Sequence, residues 1–308
     1  MRRRATLILL TATALLGVLL TVAPWLALTA PVGAPALVVE GWIPNDRLSD
    51  VLRLAQARGA RQVFVTGGER PLARYLHRGD TLVIDGEPLA GPWRMQLAGL
   101  PGVRWQLLGD TLPLREGRAD GRLRTEEVTV GPGVRQLRLV SRAAVAPGDT
   151  TALLFVQTLR LNGEGLAATG HAVRVHGPHG ARTACALTWA EERALRLVAL
   201  GMPEAQVLAV PGLPDARGRT VSAAQAMAAQ ARWLGLGAYD VVSLGVHARR
   251  TRHAHARANG DAVLVGVIAL PDPRVPPRTW WLRPAAWPLV AKEVAGLLRD
   301  AVAGTFGT

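Results

Sequence analysis

Two short apolar runs, each ending in glycine and separated by one amphipathic helix, restrict the fold more than any other feature of this chain. Residues 36–40 (Ala-Leu-Val-Val-Glu) run into Gly41-Trp42, and residues 62–66 (Gln-Val-Phe-Val-Thr) run into Gly67-Gly68. Between them Asn45 or Asp46 is placed to cap a helix carrying Leu48, Val51, Leu52 and Leu54 on one face, with Gly59 to end it. Neither run alternates apolar with polar residues, so each reads as a strand covered on both faces. A strand, a helix and a strand within about thirty residues form a crossover unit, which makes the two strands parallel.

The same grammar returns later. Helical periodicity over 189–200 leads to a strand at 206–212. Thr220 is placed to cap an alanine-rich helix running to Trp233. A strand over 240–246 ends at His247, a basic helix covers 248–258, an apolar run covers 262–270, and an amphipathic helix covers 288–301. Alternating buried strands and helices predict an α/β fold: a Rossmann-like open parallel sheet with helices on both faces, made from residues 36–77 and 179–308. Between them, residues 78–178 offer short apolar runs at 81–84, 93–97, 103–108, 134–140 and 153–161, punctuated by Gly-Asp, Asp-Gly and Pro-Gly pairs. Regularly spaced short strands predict an all-β sandwich-like insert, closed by a turn at Asn162-Gly163.

At the N-terminus, Arg2, Arg3 and Arg4 precede an uncharged stretch over 5–35, whose core at 7–30 has 24 residues. About 20 apolar residues in a helix span a bilayer. Residues 1–35 therefore read as one transmembrane helix with Trp25 at an interface, cytoplasmic arginines and an exported remainder. That makes the lipid bilayer a partner and the location a single pass through the inner membrane, with the folded part on the periplasmic side. The competing reading is a cleaved signal peptide, whose apolar region is shorter, about 7–15 residues.

Composition sets limits on partners. The formal charge of +13 is almost all arginine, Lys292 being the only lysine. This favours anionic ligands, but no base-reading motif or basic-aromatic strip accompanies it, so nucleic acid is not expected. Cys185 is the single cysteine, which excludes an intramolecular disulfide and a cysteine-based metal site. His171, His176 and His179 fall in a glycine-rich stretch read as a loop, and His253 and His255 are two apart rather than four. No metal ligand set is assigned, and the cofactor stays unknown.

Ligands of open α/β sheets bind beyond the carboxyl ends of the strands. Those ends carry Glu40, then Gly67 and Gly68, whose backbone N–H groups can approach an anion, then Arg219 and Thr220 at a helix start, suited to phosphate. His247 follows the next strand as a candidate acid or base, with Arg249 and Arg250 one turn on as anion-holding groups. Glu40 is either a base or the partner of an arginine. For each of these the plain alternative is structural: a tight turn at the diglycine, an N-cap at Thr220, an ion pair at Glu40.

The βα portions resemble the SanA/ElyC/YdcF-like family. The resemblance lies in residues 37–42 (Leu-Val-Val-Glu-Gly-Trp), 63–68 (Val-Phe-Val-Thr-Gly-Gly), Leu200-Gly201-Met202-Pro203, Gly218-Arg219-Thr220, His247-Ala248-Arg249-Arg250, Trp280-Trp281 and Glu293. It implies a Rossmann-like domain with a pocket lined by the diglycine, Arg-Thr and His-x-Arg-Arg segments, and a link to lipid-carrier or peptidoglycan processes of the cell envelope. One branch binds S-adenosylmethionine. Where many relatives place an asparagine soon after the threonine, this chain reads Val221-Ser222-Ala223-Ala224. The insert is similar to xylan-binding-type carbohydrate modules in its β-rich pattern and in residues 159–163.

Three functions follow as expectations. The first is an enzyme or enzyme-like protein acting on a phosphorylated or glycosylated envelope precursor, with His247 and Glu40 doing the proton chemistry and the insert touching glycan. The second is a non-catalytic binding or regulatory protein using the same pocket. The third is a transferase using S-adenosylmethionine or a nucleotide.

Overall fold

The computed structural model describes residues 2–142, 151–212 and 217–305; the side chains of residues 2–5, 7–9, 11, 12, 14, 15, 142, 179 and 303–305 lie outside what is described. The chain divides into two compact units, Met1–Gly68 with Ala190–Thr308, and Glu69–Trp189.

The first unit contains five strands: β1 (Ala36–Glu40), β2 (Gln62–Gly67), β3 (Val207–Pro211), β4 (Ala238–Leu244) and β5 (Leu264–Leu270). Its helices are α1 (Arg2–Leu26), α2 (Leu48–Ala57), α3 (Trp189–Ala199), α4 (Arg219–Leu234), α5 (Ala248–Asn259) and α6 (Trp287–Thr305). The strands form one all-parallel sheet in the order β3-β2-β1-β4-β5. Side chains alternate across a strand, and both faces are covered. Leu37, Val39, Val63, Val65, Val242 and Leu244 pack with Leu48, Val51 and Ala55 of α2 and Leu197 of α3. Ala36, Val38, Phe64, Tyr239 and Val241 pack on the other side with Met227 and Ala231 of α4.

Local boundaries differ from expectation where capping chemistry decides them. Asn45–Arg47 forms a 3-10 turn, and α2 starts at Leu48 with no side-chain cap. Thr220 lies inside α4, whose cap position is Gly218. Strand β4 stops at Leu244, and Gly245–His247 is a separate 3-10 turn. The buried carboxylate of Asp240 in β4 ties the chain before β1 to the sheet. It accepts the Val32 and Gly33 N–H groups at 2.7 and 3.1 Å and the Arg58 guanidinium at 2.7 Å. Gly266 of β5 is obligatory beside it, since a Cβ there would stand 1.9 Å from Asp240 Oδ1 and 2.5 Å from the Val32 nitrogen.

The N-terminal segment corrects the expectation of a membrane anchor. Among the described residues, no helix is long and apolar enough to cross a membrane. The transmembrane helix in the expected fold class, and with it the single-pass inner-membrane location, is therefore not supported. The C-terminal turns of α1 put one face, carrying Ala23 and Leu26, into protein, while Leu20 and Trp25 stay exposed. Ala23 and Leu26 are fully buried in a cluster with Val246, Val275, Trp280, Ala286 and Val290. The Trp280 indole donates to the Leu19 carbonyl at 2.8 Å.

The second unit holds two antiparallel sheets. In one, Arg182–Ala184, Ala172–His176, Thr81–Asp85, Gln136–Arg142, Arg104–Gly109 and Leu112–Arg118 neighbour one another in that order. In the other, Leu154–Leu161 and Gly91–Gly99 are central, flanked by Glu164–Gly165, Arg74–Leu76 and Arg124–Val130. The two share one core, with Leu82, Ile84, Trp105, Leu107 and Leu139 from the first and Trp93, Met95, Leu97, Leu154 and Val156 from the second. The unit extends beyond 78–178 because Arg74–Leu76 pairs with residues 154–156, Arg182–Ala184 pairs with 174–176, and Glu69 bridges Thr188. Asn162-Gly163 is a turn within the unit rather than its end. His176 lies on a strand rather than in a loop. His171 is buried, 2.7 Å from Thr169 Oγ1 and 3.1 Å from the Pro88 carbonyl.

Candidate functional site

The chain leaves β1 for β2 and β3 on one side, and later returns to place β4 and β5 on the other. The carboxyl ends of β1 and β4 therefore flank the point where strand order reverses, which is where sheets of this kind open a crevice for ligands. Glu40 is the last residue of β1, and His247 closes the turn after β4.

Alternation along β1 puts Glu40 on the side of Ala36 and Val38, toward α5. There its Oε1 accepts the Thr251 hydroxyl at 3.0 Å and lies 3.5 Å from His247 Nε2. Its Oε2 is buried without a hydrogen-bond partner. The backbone makes the sharp approach at Gly245, whose φ of +50° and whose space, 2.7 Å from Asp272 Cβ, both exclude a side chain. His247 Nδ1 bonds Glu293 Oε2 of α6 at 2.8 Å. Trp42 meets the imidazole edge-on with ring centroids 4.9 Å apart. Beyond Glu293, Arg250 Nη1 lies 3.7 Å from the same carboxylate, and its Nε donates to Asp300 at 2.9 Å.

The imidazole is thus clamped between two carboxylates. Burial alone would lower its pKa. The Glu40 charge and the hydrogen bond and charge of Glu293 outweigh that and raise it to about 9. Burial likewise pushes the Glu40 and Glu293 carboxyls up; the facing imidazolium, joined by hydrogen bonding from Ser243 and Trp42 at Glu40 and by the Arg250 and Lys292 charges at Glu293, overrides this and holds both below the usual carboxylate range. At neutral pH the site is carboxylate, imidazolium, carboxylate. Each imidazolium nitrogen carries a proton. The one on Nδ1 is committed to Glu293, whereas the one on Nε2, 3.5 Å from its carboxylate, is loosely held.

Of the sequence-predicted residues, the structure brings Glu40 and His247 together. Gly67 and Gly68 share the sheet edge one strand over: Glu40 pairs with Thr66, and the Gly212 N–H donates to the Gly67 carbonyl at 3.2 Å. Arg219 is the first residue of α4 and is exposed, and Thr220 is half-buried behind it. The two arginines after His247 are engaged elsewhere. Arg250 serves Asp300 and Glu293. Arg249 donates to the Trp25 carbonyl at 2.6 Å and stacks 4.1 Å above the Trp25 ring.

Glu293 and Thr251 complete the clamp and were not singled out as site residues from the sequence. Glu293 had a signal. It lies on the same helical stripe as Val290, Val294 and Leu297, and a carboxylate on an apolar stripe needs a buried partner. Thr251 stands one turn after His247 on α5, where the two necessarily share a face. Arg193 was also missed; from α3 its Nε donates to the Ile43 carbonyl at 2.9 Å and its Nη1 to Asn45 at 2.6 Å, fixing the loop that carries Trp42. No family model matches the chain, and no curated protein matches it.

Proposed function

We propose that this protein is an acid–base enzyme acting on a phosphorylated or glycosylated cell-envelope precursor, with His247 as the proton donor. The observation that carries the reading is the imidazolium held between Glu40 and Glu293 at the strand-order reversal. A group protonated throughout the neutral range is a standing acid. Its Nε2 proton passes to the leaving oxygen of a phosphoester or glycosidic bond while water adds at the phosphorus or anomeric carbon, and the proton that the water loses returns to Nε2, beside the Glu40 carboxylate. Glu293 fixes the ring orientation through Nδ1, the role of an orienting carboxylate. Oε2 of Glu40 is a spare acceptor for a substrate hydroxyl.

Anion binding in this reading falls to the backbone at Gly67 and Gly68 and to Arg219 and Thr220 at the start of α4. The envelope assignment rests on the similarity to SanA/ElyC/YdcF-like proteins in the segments around Glu40, Gly67, Arg219, His247 and Glu293.

The test is a thermal-shift panel with a polyprenyl phosphate analogue, a peptidoglycan-type oligosaccharide and S-adenosylmethionine, followed by assays for released phosphate or reducing sugar. The expected result is a shift with the first or second ligand and turnover abolished in His247→Gln. Unchanged turnover in that variant overturns the acid role. A shift with S-adenosylmethionine alone replaces the reading with a transferase.

A further inference from the structure

The turn carrying His247 is braced from two sides, and only one side belongs to the clamp itself. Toward the sheet it meets Glu40 and Thr251. On its other side it meets the C-terminal turns of α1. Val246, immediately before His247, is buried with Ala23 and Leu26 of α1, and the same cluster includes Val290 of α6, one turn before Glu293. Helix α1 therefore packs against both elements that grip the imidazole: the β4–α5 turn and α6.

The last carbonyls of a helix have no N–H partner within it. One of these, the Trp25 carbonyl, accepts Arg249 Nε at 2.6 Å. The same guanidinium lies 4.1 Å above the Trp25 ring, a cation over an aromatic face. A cation at a helix C-terminus also complements its dipole. Three favourable terms thus converge on one side chain two residues after His247. Resting on the acid reading of that histidine, we infer that Arg249 is a positioning residue: it caps α1 against the turn and thereby holds His247 in register with Glu293 and Glu40.

The groups that face the imidazole are Glu40 from β1, Glu293 from α6, and on α5 Arg250 behind Glu293; Lys292 of α6 acts on Glu293. Loosening α1 lets the turn and α6 move apart, so the carboxylates lose their hold and the imidazole moves toward its ordinary value of 6.5.

The experiment is a titration of the full chain with nitrogen-labelled histidine, followed by NMR, with His247→Gln assigning the resonance. Trp25→Ala leaves every charge in place and removes the stacked ring. It is expected to lower the His247 pKa by about one unit, a tenfold loss of proton affinity. Arg249→Ala is expected to do the same, and Arg249→Lys, which keeps a cation and a donor, to restore part of it. The buried His255, bonded to Tyr239, serves as the internal reference for an intact fold. An unchanged titration in Trp25→Ala overturns the proposal. So does a rise in Arg249→Ala alone, since that reports only a lost charge. The readout needs no substrate, so it is independent of whether His247 proves to be an acid in turnover.

Discussion

His247 Nδ1 and Glu293 Oε2 lie 2.8 Å apart, and this bond joins the turn after β4 to the C-terminal helix α6. It gives the imidazole a fixed ring orientation and one of the two carboxylates that stabilise its charge. Glu293→Gln keeps the shape and removes the charge. The His247 pKa is expected to fall from about 9 toward 6.5, by one unit or more, in an NMR titration. A value that stays near 9 would mean that Glu40 alone holds the proton.

Stability should peak near pH 6.5. His247 has a folded pKa raised from 6.5 to about 9. Its contribution is fully present below 6.5 and is lost as pH rises through 9. His255 is the opposite case. Burial lowers its pKa to about 4, so it stays neutral when folded and protonates more readily when unfolded. Stability from that group is present above 6.5 and falls between 6.5 and 4. Each limb has a slope of at most about 1.4 kcal/mol per pH unit. Denaturant unfolding across pH should show the alkaline limb flattened in His247→Gln and the acid limb flattened in His255→Gln. Glu40 and Glu293, both lowered, steepen the loss further as pH falls through their folded values.

Thr251→Val tests the Glu40 anchor. The hydroxyl donates to Oε1 at 3.0 Å, and Oε2 already lacks a partner. Losing the donor leaves a buried carboxylate more poorly solvated, at a cost of about 1–3 kcal/mol. Thr251→Ser, which keeps the hydroxyl, should cost less in a urea titration. Equal losses in the two variants would show that the methyl group, not the hydrogen bond, matters here.

Gly266→Ala is expected to be severe. The added methyl meets both the Asp240 carboxylate and the Val32 backbone, neither of which can withdraw without breaking the three hydrogen bonds that Asp240 accepts. Overpacking of this kind costs roughly 1–3 kcal/mol, and loss of the buried ion pair with Arg58 adds to it. Calorimetry on the variant should show a clear fall in melting temperature; retention of the wild-type value would contradict this packing.

Much of the α/β unit was legible because its signals are local. Residues 36–39 and 63–65 are unbroken apolar runs that lead into glycine-containing turns, and those conditions hold in any context that buries them. The antiparallel unit was less legible where its strands are polar. Arg124–Val130 reads Arg-Thr-Glu-Glu-Val-Thr-Val, and most of it faces away from the core, so no apolar run announces it. The N-terminal segment was misleading for a related reason. Hydropathy measures how readily a residue leaves water and does not say whether lipid or protein receives it. Ala23 and Leu26 are received by Trp280 and Val290.

The site shows the same division. By itself the sequence determined that Glu40 ends one buried strand and His247 follows another, so that both lie at a sheet edge, because strand and turn patterns are fixed by neighbours a few residues away. Only the tertiary structure decided what they do there. The strand order sets β1 beside β4, which brings Glu40 to Nε2, and the packing of α6 brings Glu293 to Nδ1. It also drew Arg249 to Trp25 and Arg250 to Asp300, since a buried or half-buried guanidinium goes to the nearest acceptor that can offset its desolvation. Charge in the sequence is a count. Whether it meets a ligand or another side chain depends on which distant elements the fold places within about 4 Å.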